Sequence, residues 1–232
     1  MSIELIKEKK LVFIQKNDVF TNSKIIASGA GISHKQLKKV IRNYKQDIEF
    51  FGKLSVAYVT ESTGGRPEEI QPLNEQQATF VITLLKNTPK VLDFKKELVR
   101  QFYLMREELR KLQTAKTIFL EARRTLTDSI NALPESGHKG RKYKHYTDLL
   151  YKIVIGKNAA QIRKELGLGE GQSVVGFLSA EQYNEIAKLE EQAAMLIDMG
   201  FEYEQIKSGL YKMYEKMKNN KLLPDQTRLV GV

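Results

Sequence analysis

The 232-residue chain has no cysteine and no tryptophan, only three histidines and five prolines, and no apolar run approaching the roughly 20 residues that span a membrane. Without cysteine there is no disulfide framework, no thiolate metal site and no thiol nucleophile. His34, His138 and His145 are not spaced as metal ligands, so no metal and no cofactor is expected. Aspartates and glutamates are scattered along expected solvent faces, and no enzymatic activity is expected; the one enzymatic alternative is a metal-dependent nuclease built from separated carboxylates. At the N-terminus, Glu4, Lys7, Glu8, Lys9 and Lys10 stand where a secretion signal would need an apolar run. A soluble, intracellular protein without a membrane partner is expected.

What the chain does have is positive charge. Its 38 Lys and Arg exceed its 28 Asp and Glu by ten. Residues 1–143 hold 26 cations and 16 anions, whereas residues 144–232 hold twelve of each. A basic part joined to a neutral part reads as a polyanion-binding module attached to something with another task, because neutralised phosphates supply most nonspecific nucleic-acid affinity.

The richest segment is 21–45, TNSKIIASGAGISHKQLKKVIRNYK. Thr21 or Asn22 can cap a first helix that turns Ile25 and Ile26 inward, with Gly29 and Gly31 ending it. Ser33 can cap a second helix, in which Leu37, Val40, Ile41 and Tyr44 recur at spacings of three and four and define one buried stripe. The opposite face carries His34, Lys35, Gln36, Lys38, Lys39, Arg42, Asn43 and Lys45. Gln, Asn and Arg can read base edges and Lys can bind phosphates, so this is the face a helix-turn-helix presents to the major groove. The competing reading is an ordinary helical hairpin with a solvated basic face.

Around this pair the pattern changes to strands. Leu11–Ile14 and Val19–Phe20 flank Lys16-Asn17-Asp18, which predicts a hairpin. Leu54–Thr60 and Ile70–Leu73 predict a second hairpin, with Glu61-Ser62-Thr63-Gly64-Gly65-Arg66-Pro67 between them. A Gly-Gly turn followed by Arg66 is what the wing of a winged helix uses to reach a phosphate or the minor groove, although a plain hairpin loop has the same composition. Asn74 with Gln77 three residues on is a capping box for a helix to about Asn87, and Pro89 suits the first turn of the next.

This order of β-hairpin, "TNSKIIASGAGISHKQLKKVIRNY", a hairpin containing "GGRP", and "LNEQQATFVITLLKNTPKVLDFKKELVRQFYLMREEL" resembles the phage regulatory protein Rha family over roughly residues 10–110. The resemblance implies that the segment from Thr21 to Tyr44 binds DNA and that the chain regulates phage or prophage genes in the bacterial cytoplasm. It departs from the family pattern at Gly29 and Gly31 and at Glu68-Glu69, where apolar or basic residues are more usual.

From Val91 to about Ala132 there is neither Gly nor Pro, and Leu98, Phe102, Met105, Leu109, Leu112, Ala115, Phe119, Ala122, Leu126 and Ile130 alternate by fours and threes. A helix of some forty residues would span ~60 Å, more than a small domain covers. Leu98, Phe102, Met105, Leu109, Leu112, Phe119, Leu126 and Ile130 are therefore expected to dimerise; the alternative is a helix packed within its own chain. Residues 133–144, LPESGHKGRKYK, have a linker's composition. Beyond it, Thr147, Asn158 and Ser179 can cap three helices, and Phe201–Lys218 supplies a fourth. "TDLLYKIVIGKNAAQIRKELGL" and "LSAEQYNEIAKLEEQAAMLIDMGFEYEQIKSGL" are similar to C-terminal modules of phage antirepressor-type proteins.

The expectation is thus a mostly helical α+β chain: a winged-helix-like DNA-binding domain with small β-hairpins over 1–90, a dimerisation helix over 91–133, a basic linker over 134–144, an all-α protein-interaction domain over 145–218, and a flexible tail over 219–232. Ser33, His34, Lys35, Gln36, Lys38, Lys39, Arg42, Asn43, Lys45 and Arg66 are the expected DNA contacts. The expected partners are double-stranded DNA, a second copy of the chain, and a phage repressor or host regulatory protein at the C-terminal domain. The alternative is an antirepressor or host-factor inhibitor that acts by binding protein.

Overall fold

The computed structural model describes residues 10–15, 17–60, 66–133 and 139–222. The Gly64-Gly65 tip, most of the expected linker before Lys139 and the tail from Leu223 onward lie outside the described residues. The chain is mostly helical, with small antiparallel sheets and one long central helix. It divides into two compact units, Met1–Arg110 and Lys111–Val232.

In the first unit, β1 (Phe13–Gln15) and β2 (Asp18–Asn22) form the expected hairpin, turning through Asn17 at φ 62°. Asparagine tolerates that left-handed conformation better than most residues. Asn22 then caps α1 (Ser23–Ala30) by accepting the Ile25 N–H. Gly31, at φ 68°, closes α1 with its N–H on the carbonyls of Ala27 and Ser28. Gly29 does not end the helix as expected. It lies inside α1, where a Cβ would come within 2.1 Å of the Phe94 ring, so its small size allows a close crossing.

Ser33 and Gln36 form a full capping box that starts α2 (His34–Asn43). Leu37 and Ile41 are buried, Val40 is half-buried, and Tyr44 is exposed. Tyr44 leaves the expected stripe because it is the junction where the chain turns into α3 (Lys45–Glu49). The second hairpin pairs β3 (Ala57–Val59) with β4 (Glu68–Ile70) in antiparallel register, Tyr58 opposite Glu69. The single returning strand expected over 70–73 is two strands. After Gln71 the chain passes into β5 (Pro72–Asn74), which joins the first sheet as the edge partner of β2, a position where proline is tolerated.

Asn74 and Gln77 form the expected capping box of α4 (Glu75–Thr83), which stops four residues before Asn87. The same two side chains reach back and donate to the carbonyls of Phe51 and Gly52 at 2.9 and 2.6 Å, anchoring the turn after α3. The long helix α5 (Pro89–Ala132) starts at proline as expected. Its Val91, Phe94, Leu98, Phe102 and Leu109 join Leu11, Val19, Ile26, Leu37, Ile41, Ile48, Leu73 and Val81 in one core.

In the second unit, Ala115, Phe119, Ala122, Leu126 and Ile130 of α5 pack with α6 (Lys139–Ile155), α7 (Ala159–Leu166), α8 (Ala180–Asp198) and α9 (Tyr203–Leu222). A 3-10 turn at Val175–Phe177 precedes α8. Asn158 and Ser179 make the expected caps. Thr147 is not a cap: α6 begins eight residues earlier, inside the segment expected to be a linker. Tyr143 packs against the core and Tyr146 is buried within it, so apolar contact overrides the basic composition there.

The eight residues expected to dimerise are all accounted for within the chain. Leu98, Phe102 and Leu109 are buried and Met105 is half-buried in the first core. Phe119, Leu126 and Ile130 are buried and Leu112 is half-buried in the second. A three-four repeat is identical whether its cover comes from a second copy or from sheet and helices of the same chain, and here the same chain supplies it. Among the described residues no helix is long and apolar enough to cross a membrane.

Candidate nucleic-acid interface

The chain divides inside α5, and this changes how its charge is distributed. Residues 1–110 hold 19 cations and 13 anions, and residues 111–232 hold 19 and 15. The sharp contrast across Tyr143 is therefore not a contrast between the compact units. What distinguishes the first unit is local: α2 carries three lysines and an arginine and no carboxylate.

With 100° between successive residues, Lys35, Lys39 and Arg42 fall within an arc of about 60°. All three are exposed, and among the described residues none has a carboxylate within ion-pair distance. Asn43 is exposed beyond this arc. The helix bearing them is held from its inner side by Leu37 and Ile41 and from its start by the Ser33–Gln36 box. Gln36 spends its side-chain oxygen on that box, accepting from the Ser33 N–H at 2.9 Å, so it serves first as a cap.

The flank facing the second hairpin is different. Glu68 Oε1 lies 2.7 Å from His34 Nδ1, and Glu68 Oε2 lies 2.7 Å from Lys24 Nζ. Glu69 Oε1 lies 2.8 Å from Lys38 Nζ and also accepts from the Gln71 amide. The Lys24 ammonium, and after it the His34 imidazole, hold the Glu68 carboxyl below the usual carboxylate range. Lys38 does the same for Glu69. Lys45, farther along, sits 4.0 Å from Glu49 and is mostly exposed. Arg66 is exposed at the approach to β4.

His34 also ties this flank to the sheet. With its Nδ1–H given to Glu68, the neutral ring can accept the Ser23 hydroxyl, which lies 2.8 Å from Nε2. Ser23 Oγ in turn accepts the Gln71 N–H at 3.0 Å, and the Ser23 N–H donates to the Gln71 carbonyl. Serine, histidine and glutamate thus stand in the order of a hydrolytic triad. Ser23 is completely buried, though, and a nucleophile must meet a substrate carbonyl. The chain of contacts instead links α1, α2 and β4.

Between α2 and the second hairpin runs a groove of about 870 Å³. Ile41, Leu54 and Val56 give it an apolar floor, and Lys35, Lys39 and Arg42 line it together with the carboxylates of β4. The network of Ser23, Lys24, Glu68, Glu69 and Gln71 was not anticipated from sequence. The adjacent acidic pair following a cationic helix was its only signal, since the partners are up to 48 residues apart.

This cationic helix and its hairpin belong to a segment with recognisable relatives. Residues 21–107 match the model of the phage regulatory protein Rha family. The match takes in α1 to α4 and the first part of α5, and it suggests a phage regulatory role. No curated protein matches the chain.

Proposed function

We propose that the chain is a phage- or prophage-encoded transcriptional regulator that reads double-stranded DNA with α2. On this reading α1, the Gly31 turn and α2 act as a helix-turn-helix, and the β3–β4 hairpin acts as the wing of a winged-helix arrangement. The observation that carries it is the open arc of Lys35, Lys39 and Arg42 on a helix without carboxylates, buried along one side and capped at its start. Arg42 and Asn43 are the candidate base readers, and Lys35, Lys39, Lys45 and Arg66 the candidate phosphate contacts. Action as an oligomer follows from the two half-sites such regulators occupy, through a surface other than the buried stripe of α5. The bacterial cytoplasm is the compartment where this function operates, and no catalytic step is part of it.

The test is a titration against duplex fragments at two salt concentrations with random duplex as competitor. Binding through about six phosphates weakens by about a thousandfold or more between 50 and 200 mM salt. K39A/R42A should abolish it. Salt-insensitive binding, or a variant that binds like the parent, defeats the reading.

A second reading keeps this scaffold but makes the chain an antirepressor or host-factor inhibitor that binds protein. The exposed aromatic rings of Phe50 and Tyr58 favour it, as does the similarity of the C-terminal segments to antirepressor-type modules. Its interface should change little with salt.

A further inference from the structure

We infer that Glu68 and Glu69 set the selectivity of the α2 surface by withholding Lys24 and Lys38 from phosphate. The inference rests on the DNA-binding reading above and concerns the same site. Its basis is the asymmetry of α2. On one flank Lys35, Lys39 and Arg42 are open, and on the other every cation beside β4 is matched by a carboxylate at 2.7–2.8 Å.

Two features make this more than chance surface pairing. Both carboxylates come from one short strand whose position is set by the β3 register and by the Ser23–Gln71 backbone and hydroxyl contacts. They are thus presented to α1 and α2 by the backbone, not by loose side chains. Each glutamate also meets cations from elements that would face a duplex, Lys24 from α1 and Lys38 from α2.

Every phosphate neutralised adds about 0.9 to the salt slope of binding to duplex DNA. That term is blind to sequence, so it strengthens random and specific sites alike. Removing two lysines from the count lowers nonspecific affinity, while Arg42 and Asn43 keep their access to base edges. The carboxylates would also repel phosphates approaching from the hairpin side, which confines the duplex to the open flank.

The experiment compares duplex binding by four full-length proteins: the parent, E68Q/E69Q, K24A/K38A, and the combination of all four substitutions. Salt slopes are measured on random duplex and on the best-retained fragment. Glutamine preserves the shape of the side chain and its capacity to accept, and melting curves establish that each variant folds. The expected result is that E68Q/E69Q steepens the slope by about 1.8, the contribution of two phosphates. It should bind random duplex at least tenfold more tightly at low salt, with a smaller ratio of specific to random affinity. K24A/K38A should bind like the parent, and the combined variant should lose the gain.

A slope for E68Q/E69Q equal to the parent's overturns the inference. So does a K24A/K38A protein whose slope falls by about 1.8 in the parent background, since its lysines would then already be on phosphate. If E68Q/E69Q does not fold, K24A/K38A alone decides between these results. Failure of the DNA-binding reading is distinguishable. There, the parent and E68Q/E69Q both lack salt-dependent retention, and K39A/R42A changes nothing.

Discussion

Two sets of acid–base contacts, one in each compact unit, show how the same chemistry serves different ends. In the second unit Arg123 donates from Nε and Nη2 to Glu190 Oε1 at 2.9 and 2.7 Å, and Glu190 has no exposed surface. The guanidinium lies 4.7 Å from the Phe119 ring centre, with Tyr143 and Tyr151 also in range. Burial pushes the Glu190 carboxyl up to about 7 despite the adjacent guanidinium. In the first unit the Glu68 and Glu69 contacts are partly solvated, and their carboxyls are pulled down, not up. The buried pair is a packing element that cannot be opened cheaply. The surface pairs can be exchanged for other partners, and that exchange is what gives them a part in binding.

The largest expected effect lies in the buried pair. Arg123→Ala leaves Glu190 enclosed without a counter-charge and should destabilise the second unit by about 3 kcal/mol or more. Replacing both by methionine should cost far less, because the isolated charge is then gone. Denaturant unfolding, with hydrogen exchange read along α8, measures both; equal losses would break the contrast. The next effect is in the first core. Gly29→Ala forces a methyl into the Phe94 ring and should cost about 1–3 kcal/mol. Adding Phe94→Leu should return part of it, read from melting curves.

Acid should move the two sets in opposite directions. Glu190 binds its proton more tightly folded than unfolded, so its contribution to stability grows as pH falls from about 7 towards 4.5. Glu68 and Glu69 bind theirs less tightly folded, so their contribution is present above the ordinary carboxylate range and is lost as pH falls through the lowered values. Hydrogen exchange at pH 5 and 7.5 should therefore show the second unit gaining protection in acid. Glu190→Gln should flatten that gain, and a gain that survives the substitution would assign it elsewhere. The smallest expected change is the melting temperature of E68Q/E69Q, which should stay close to the parent's because exposed pairs contribute little. A large drop would make those glutamates structural.

Much of the local structure was legible because it is written in neighbouring residues. The caps at Asn22, Ser33, Asn74, Asn158 and Ser179 each come from a side chain acting on a backbone N–H three residues away. Pro89 and the uninterrupted run after it likewise gave α5. What covers a stripe was not legible. Leu98 or Phe119 carries no mark saying whether its neighbour is a second copy or the chain's own sheet and helices. Gly29 read as a stop because its contact, Phe94, is 65 residues away in sequence. The reader helix was found from its cations, but the division of those cations between an open flank and a carboxylate-matched one depends on the β3–β4 register. Charge counting across Tyr143 missed it, because that cut does not follow the compact units.

The most direct test of the account is the salt dependence of duplex binding by the parent and by K39A/R42A, measured on the best-retained fragment. The account predicts a steep slope for the parent, a slope shallower by about 1.8 for the variant if any binding persists, and loss of preference over random duplex. Equal slopes and equal affinities for the two proteins would contradict it, and would place the function of this chain on a surface other than α2.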